Sequence, residues 1–188
     1  MVFILSKYLI LSDTHDNLES LRKIKRLVVN LDITSIIHLG DYTSPFTLAE
    51  LLDISSVEFV GILGNNDGDK SKLKELGGGK INEQPLELRI GDYSAIAFHG
   101  FKDVKLTKRI IYAIVKSGYY NIVLYGHTHE HDLRLSSNVL VMNPGTLAGY
   151  LSNYKSYGII DLRLGIAEVR ELETGKLLAK VSLPNKGS

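Results

Sequence analysis

The first third of the chain alternates short apolar runs with segments whose apolar positions recur at helical spacing. The apolar runs are compact and end in polar clusters, which is typical of buried strands: Tyr8–Ser12, Ser35–Leu39 and Val57–Leu63. Between the first two, apolar residues recur three or four positions apart from Leu18 to Leu31, which predicts an amphipathic helix. A second helix is predicted to open at Pro45, because proline suits the first helical position.

The pattern changes after a short polar helix predicted at Asp69–Leu76, and strands dominate the second half. Gly91-Asp92 between two apolar runs predicts a β-hairpin. Its strands and the later elements are predicted at Leu86–Ile90, Tyr93–Phe98, Val104–Lys116 (a helix), Ile122–Tyr125, Leu133–Leu135, Val139–Met142, Tyr157–Leu162, Ile166–Leu172 and Lys176–Leu183. This order favours an α/β fold in which helices cover the outer faces of two packed sheets over a single doubly wound sheet. We expect one domain over residues 1–188, with a flexible tail at 184–188.

Composition restricts the chemistry more than the fold. The 188 residues include no cysteine, so a metal ion would have to be held by His, Asp, Asn or Glu. The formal charge of +1 gives no global attraction to nucleic acid or to an anionic membrane, and neither partner is expected. No stretch approaches the roughly 18 apolar residues of a membrane span. The apolar N-terminus lacks a basic lead and a small-residue cleavage site, which predicts a cytoplasmic protein.

Polar clusters follow five of the predicted strands. They are Asp13-Thr14-His15, Gly40-Asp41, Gly64–Asp67, His99-Gly100 and Gly126–His129. Ligands of open α/β sheets bind outside the carboxyl ends of the strands, so these loops could converge. Taken singly, most of the clusters are more typical of an ordinary turn or a helix cap than of a metal site. The His-x-His pair is the strongest single indication of a metal site.

Together the clusters offer seven oxygen and nitrogen donors, namely Asp13, His15, Asp41, Asn65, His99, His127 and His129. One metal ion takes about four to six ligands, so seven donors indicate two ions that share a bridging carboxylate. We predict that Asp41 is the bridge, since an ionised carboxylate has two oxygens to share. Manganese is the first choice for the metal, and nickel, iron, cobalt or zinc would also accept these donors.

In this order the motifs D-x-H, GD, GNND, HG and GHTH resemble those of the calcineurin-like metallophosphoesterase superfamily. The short chain, the GNND form and Asn143-Pro144-Gly145 are similar to its small YfcE-like and archaeal phosphodiesterase branch, whose fold Vps29 shares. The resemblance implies a four-layer α/β/β/α sandwich of two mixed β-sheets flanked by helices. It also implies a division of the donors, with Asp13, His15 and His129 on one metal and Asn65, His99 and His127 on the second.

The same resemblance implies a metal-dependent phosphoesterase that acts on a small phosphate ester, with a phosphodiesterase favoured over a phosphomonoesterase. A hydroxide bridging two divalent metals would attack phosphorus. Most of the superfamily has His where this chain has Asn66, and an amide cannot be a general acid. We therefore expect leaving groups that depart without protonation. Asp67 is predicted to orient Asn66 or a metal ligand, so both residues are assigned to the catalytic machinery.

The alternative is a Vps29-like protein-binding scaffold with vestigial or no catalysis. Scaffolds of that kind have lost or altered parts of the metal set, whereas all seven donors are present here. The oligomeric state stays open, and a homodimer is compatible with the sequence although no feature requires it.

Overall fold

The computed structural model describes residues 6–54 and 57–185, which form two β-sheets flanked by helices. Residues 1–5 of the apolar N-terminal segment and residues 186–188 of the expected tail lie outside the described residues. The elements, in chain order, are β1 (Lys7–Leu11), α1 (Leu18–Asn30), β2 (Ser35–His38), α2 (Pro45–Leu52), β3 (Glu58–Ile62), α3 (Lys70–Gly77), β4 (Ile81–Asn82), β5 (Leu86–Ile90), β6 (Tyr93–Phe98), α4 (Val104–Ser117), β7 (Ile122–Tyr125), β8 (Asp132–Ser136), β9 (Val139–Asn143), β10 (Ser156–Asp161), β11 (Ile166–Glu171) and β12 (Leu177–Ser182).

Both sheets are mixed. The larger has the order β12-β11-β10-β1-β2-β3-β4 and the smaller has the order β5-β6-β7-β9-β8. Strands β1 to β4 run parallel, and β10 joins them by pairing antiparallel with β1. In the smaller sheet β6, β7 and β9 are parallel. The parallel strands of each sheet therefore end along one edge, where their polar loops follow.

Three apolar clusters separate four layers. Helices α1, α2 and α3 pack on the larger sheet through residues such as Leu21 and Leu48, which belong to the same apolar cluster as Leu9. The next residue in β1, Ile10, points to the opposite face and packs between the two sheets. Helix α4 covers the far side of the smaller sheet, and its Ile111 belongs to the third cluster. The predicted α/β/β/α sandwich of two mixed sheets is confirmed.

Local signals place the helix ends. Asn17 caps α1, since its side chain accepts a hydrogen bond from the Ser20 N–H at 3.0 Å. Pro45 begins α2 as predicted, and Gly118 in the left-handed conformation ends α4. None of the helices in the described ranges is long and apolar enough to cross a bilayer.

Two details differ from the sequence prediction. Strand β4 has only two residues and pairs parallel with the end of β3, and such a short segment carries no periodicity that a sequence pattern could reveal. At the start of the expected flexible tail, Pro184 is buried. Asn185 both donates to and accepts from Asn138, at 2.9 and 3.0 Å.

Candidate metal centre

The loops after β1, β2, β6 and β7 are joined directly by hydrogen bonds that backbone N–H groups donate. The Asp13 N–H donates to the Gly40 carbonyl at 3.0 Å, which ties the first two loops of the larger sheet. The Gly126 N–H donates to the His99 carbonyl at 2.9 Å in the smaller sheet. Between the sheets, the His127 N–H donates to Asp13 Oδ2 at 3.0 Å. Loops that are distant in sequence therefore form one continuous site.

Asp13, His15 and His129 form the first donor group. Asp13 Oδ1 lies 3.2 Å from His129 Nε2 and 3.8 Å from His15 Nε2. The two imidazole Nε2 atoms are 3.3 Å apart. Asp13 is fully buried, and its Oδ2 already accepts from the Ser12 hydroxyl and the His127 amide. These contacts leave Oδ1 facing the two imidazoles.

Asp41 connects this group to a second one. Its Oδ2 lies 3.6 Å from His15 Nε2 and 3.3 Å from His99 Nε2. Asp13, Asp41 and His99 also form a compact set of potential metal ligands. On the far side, the side-chain oxygen of Asn65 is 3.1 Å from His99 Nε2. Asp41 thus lies between the two halves of the predicted donor set, and the division of ligands between two metals stays a prediction.

Of the seven predicted donors, His127 has the weakest side-chain connection to the other six. Its ring packs edge-on against the His99 ring, with 5.2 Å between centroids, and its side chain makes no hydrogen bond to Asp13 or Asp41 among the described residues. The backbone amide of His127, by contrast, holds Asp13. Its assignment as a metal ligand therefore stays a prediction.

Backbone carbonyls fix the orientation of two histidines. His99 Nδ1 lies 2.7 Å from the Leu39 carbonyl oxygen, and His129 Nδ1 lies 2.8 Å from the Tyr150 carbonyl oxygen. Because a carbonyl can only accept, each Nδ1 carries a proton. In the neutral imidazoles, Nε2 is then the atom with the free lone pair, and both Nε2 atoms face the carboxylates. This is the arrangement of metal-ligating histidines in proteins.

The carboxylates and imidazoles of the centre shift one another's protonation. Burial raises the pKa of Asp13, but the contacts with His129, His99 and Ser12 lower it more, so the net pKa lies below its ordinary value. Burial opposes protonation of His99, yet the carboxylates of Asp41 and Asp13 raise its pKa to about 9. The metal-free chain therefore balances its buried negative charge with imidazole protons, and a cation would displace them.

Asn66 and Asp67 both contact the Asp41 loop. Asn66 donates to the two Asp41 carboxylate oxygens, from its backbone N–H at 2.8 Å and from its side-chain amide at 2.7 Å. Asp67 is buried and accepts from three backbone N–H groups, those of Gly64, Thr43 and Asp41. Asp67 therefore holds the loops behind the donors, and its described hydrogen bonds include none to the Asn66 side chain.

Three further residues position the site, and none of them is among the seven predicted donors. The Gln84 side chain accepts from the His99 N–H at 2.8 Å and donates to the Gly100 carbonyl at 3.0 Å. Asn143 donates to the Gly126 carbonyl at 3.0 Å. Tyr150 supplies the carbonyl that orients His129. Each acts across a long sequence separation, and only Asn143, within its Asn-Pro-Gly turn, stands in a local pattern that indicates a role near the site.

The backbone of the centre is strained. Asp13, His15, Asp41, His127 and His129 all adopt positive φ values between 43° and 68°, a region that side chains other than glycine rarely occupy. Such conformations cost on the order of 1–3 kcal/mol each and persist where the surrounding structure enforces them. The strained positions coincide with five of the seven predicted donors.

These residues fit divalent metal ions. Asp13 Oδ1 is fully buried, and among the described residues it has no hydrogen-bond donor unless His129 Nε2, 3.2 Å away, carries a proton. With neutral imidazoles this carboxylate oxygen is costly to bury unless a cation neutralises it. The oriented Nε2 atoms and the neighbouring Asp41 oxygen supply nitrogen and oxygen donors of the type that Mn²⁺, Fe²⁺, Ni²⁺, Co²⁺ and Zn²⁺ accept.

A four-layer sandwich with this donor set at its strand ends defines a metal-dependent phosphoesterase. The chain belongs to the calcineurin-like phosphoesterase superfamily, whose domain matches residues 7–165. A phosphodiesterase of Methanocaldococcus jannaschii, MJ0936, is 34% identical over 156 residues, which make up 81% of this chain and 90% of that relative. The predicted superfamily and phosphoesterase function are confirmed.

Solved structures agree with this assignment. A novel archaeal phosphodiesterase has a TM-score of 0.75 and 30% identity, covering 94% of this chain and 99% of its own. The E. coli phosphoesterase Yfce has a TM-score of 0.74 at 19% identity, with coverage of 94% and 99%. Vps29 of Chaetomium thermophilum has a TM-score of 0.72 at 18% identity, with coverage of 97% and 98%. The last two likenesses show the fold alone.

Proposed function

We propose that this phosphoesterase is a phosphodiesterase that uses two divalent metal ions. The observation that carries the proposal is the position of Asp41, whose Oδ2 lies 3.6 Å from His15 Nε2 and 3.3 Å from His99 Nε2. A single carboxylate between two imidazole-containing groups is what a shared ligand requires. The unsatisfied Oδ1 of Asp13 adds a second reason for a cation at this place.

In this proposal Asp13, His15 and His129 hold one ion, Asn65, His99 and His127 hold the other, and Asp41 bridges them. Two divalent ions bound there would lower the pKa of a shared water and neutralise charge on the phosphate oxygens. The chain itself directs the lone pairs of His99 and His129 inward through the Leu39 and Tyr150 carbonyls. Asn66 holds the Asp41 carboxylate by two hydrogen bonds.

The preference for diesters rests on two observations. The M. jannaschii relative is named a phosphodiesterase. In addition, the side chain at position 66 is an amide that donates to Asp41, and it has no titratable proton to give to a leaving group. Esters whose alcohol leaves as a stable anion, such as p-nitrophenolate, fit this site best.

The test is hydrolysis of bis-p-nitrophenyl phosphate by chelator-stripped protein after Mn²⁺ is added back. We expect Mn²⁺ to restore turnover and Asp41→Asn to lower it by a factor on the order of 100 or more, since the bridging charge is lost. Asp69→Asn is the matched control, because Asp69 caps α3 through its side chain and asparagine caps equally well. Metal content should be two ions per wild-type chain.

Two outcomes would contradict the proposal. One is full activity of Asp41→Asn, and the other is a folded wild-type chain that binds metal yet hydrolyses neither this diester nor p-nitrophenyl phosphate with any divalent ion. The second outcome would favour the Vps29-like scaffold, which the fold likeness permits. Manganese as the metal and a cytoplasmic location stay predictions from the sequence, and the oligomeric state stays open.

A further inference from the structure

The segment from Tyr150 to Tyr154 is fastened beside the metal centre at both ends. At one end the Tyr150 carbonyl accepts from His129 Nδ1 at 2.8 Å. At the other end the Tyr154 hydroxyl is hydrogen-bonded to His131 Nδ1 at 2.9 Å. His129 and His131 are alternate residues of the β7–β8 connection, so two hydrogen bonds hold the segment alongside that connection.

Two apolar side chains on this segment face solvent. Tyr150 is 62% exposed and its ring centroid is 6.0 Å from that of His15, which places the ring at the rim of the donor set. Leu151 is 89% exposed and adopts a φ of +56°. A single exposed leucine is ordinary, but a leucine held in the left-handed region beside a catalytic centre is not. Strain of this kind concentrates at sites that contact ligands.

A cavity of about 500 Å³ opens along the same segment. Its lining residues are Glu130, His131, Leu151, Ser152, Asn153 and Tyr154. The volume is within the range of small-molecule sites. Leu151 is the one aliphatic side chain of this lining, and the other lining side chains carry polar atoms. None of them is lysine or arginine, and Glu130 contributes a carboxylate. A substrate group with a negative charge of its own would therefore find no counter-charge here and would be repelled by Glu130.

A second cavity beside the β7–β8 connection differs in charge from the first. A cavity of about 400 Å³ shares Glu130 and His131 but also includes Lys108 and Arg134. Arg134 pairs with Asp132, whereas Lys108 makes no ion pair among the described residues. On the Tyr150 side the side chain of Lys155 lies beside Gly149, but its ammonium group is paired with Glu173 at 3.5 Å. The cation without an ion pair, Lys108, therefore lines the cavity on the α4 side, and the Tyr150 side suits an uncharged group.

We propose that Tyr150 and Leu151 determine specificity by forming an apolar wall that receives the uncharged aryl group of a phosphodiester. This inference rests on the proposed phosphodiesterase function and names its substrate class. Tyr150 would pack against an aryl group through its ring, and Leu151 would extend that surface over the cavity. Aromatic pairs of this kind gain affinity beyond the area they bury.

The kinetic test compares phenyl p-nitrophenyl phosphate with methyl p-nitrophenyl phosphate. Both release the same p-nitrophenolate, so only the retained group differs. The wild-type ratio of kcat/KM, phenyl over methyl, should fall about five- to ten-fold in Tyr150→Ala, mainly through KM, and by a smaller factor in Leu151→Gly. Tyr150→Phe should keep the wild-type ratio because it retains the ring. Tyr119→Ala is the matched control, since Tyr119 is 82% exposed beyond the end of α4.

Losses by the same factor on both substrates in Tyr150→Ala, which leave the phenyl-to-methyl ratio unchanged, would overturn the inference, because they would show that the Tyr150 ring does not recognise the retained group. Since Tyr150→Ala keeps the backbone carbonyl, the metal content of the variant should match that of the wild type and exclude simple loss of the centre.

A binding measurement separates this inference from the proposed function. Calorimetric titration of the metal-loaded chain should show tighter binding of diphenyl phosphate than of dimethyl phosphate, and Tyr150→Ala should remove most of that difference. If no diester is hydrolysed but this pattern holds, the apolar wall stands and the phosphodiesterase proposal fails. If hydrolysis proceeds and the two ligands bind equally, the wall is refuted and the phosphodiesterase stands.

Discussion

Asn66 donates to both carboxylate oxygens of Asp41, through its backbone N–H at 2.8 Å and its side-chain amide at 2.7 Å. This pair of hydrogen bonds fixes the plane of the carboxylate between His15 and His99. The side-chain amide of Asn66 therefore orients the proposed bridging ligand, Asp41. In the resemblance noted above, the position of Asn66 is more often occupied by histidine.

We expect Asn66→Ala to weaken metal binding by a factor of about 10–100, because it removes a side-chain donor that orients a proposed ligand. The backbone hydrogen bond from residue 66 remains, so the loss should stop short of abolishing binding. Competition with a metallochromic chelator measures the affinity. Asn30→Ala, at the exposed end of α1, is the control and should bind metal like the wild type. Unchanged affinity in Asn66→Ala would show that the side chain does not orient Asp41.

Asp67→Asn should destabilise the metal-free chain by about 2 kcal/mol. The buried carboxylate accepts three backbone N–H donors, and an asparagine there would turn an N–H group of its own toward at least one of them. Burial raises the pKa of Asp67, the amide donors lower it in part, and the nearby Asp41 raises it further, so neutralisation offsets some of the loss. Urea unfolding in chelator measures the change, with Asp69→Asn again as control. Equal stability of Asp67→Asn and wild type would contradict this account.

His38 should make the chain less stable in acid. It is fully buried, and burial lowers its pKa to about 3 from the ordinary 6.5, since the nearby carboxylates offset the burial only in part. Its Nδ1 accepts from the Gly40 N–H at 3.2 Å, its Nε2 is 2.8 Å from the Thr14 hydroxyl, and its ring stacks on Tyr42. The neutral imidazole is thus the form that the folded state accommodates.

In the unfolded chain His38 becomes protonated as the pH falls below 6.5. In the folded chain it stays neutral until the pH approaches about 3. The free energy of unfolding therefore falls as the pH decreases from 6.5 to about 3. Above pH 6.5 the protonation of His38 costs the folded state nothing. Between pH 8 and pH 5 His38 should lower the free energy of unfolding by about 2 kcal/mol. Urea unfolding of wild type and His38→Gln, both in chelator, should show a wild-type loss larger by that amount. Parallel pH dependences would refute the assignment.

Much of the centre was predictable because its signals are local. An apolar strand followed by Asp-x-His or His-x-His reports both the strand and the loop in a few residues, and the structure brings Asp13, His15 and His129 together. The alternation in β1, with Leu9 on one face and Ile10 on the other, likewise gives the two-sided burial that a strand between layers requires.

The supporting residues were not predictable, because their partners lie far away in the sequence. Gln84 reaches the His99 loop fifteen residues on, and Tyr150 meets His129 across twenty-one. Nothing near either residue indicates that contact. For Asn66, the sequence showed that the side chain cannot act as a general acid, but it did not predict the hydrogen bond to Asp41.

The antiparallel pairing of β1 with β10, in which Lys7 lies opposite Asp161, has a consequence for synthesis on the ribosome. Strand β1 cannot gain its second neighbour until translation has passed β10, far along the sequence. The His127 amide that holds Asp13 is also made long after Asp13. A nascent chain interrupted before β10 would thus leave one edge of β1 unpaired, so chaperones should engage this protein mainly before β10 is made.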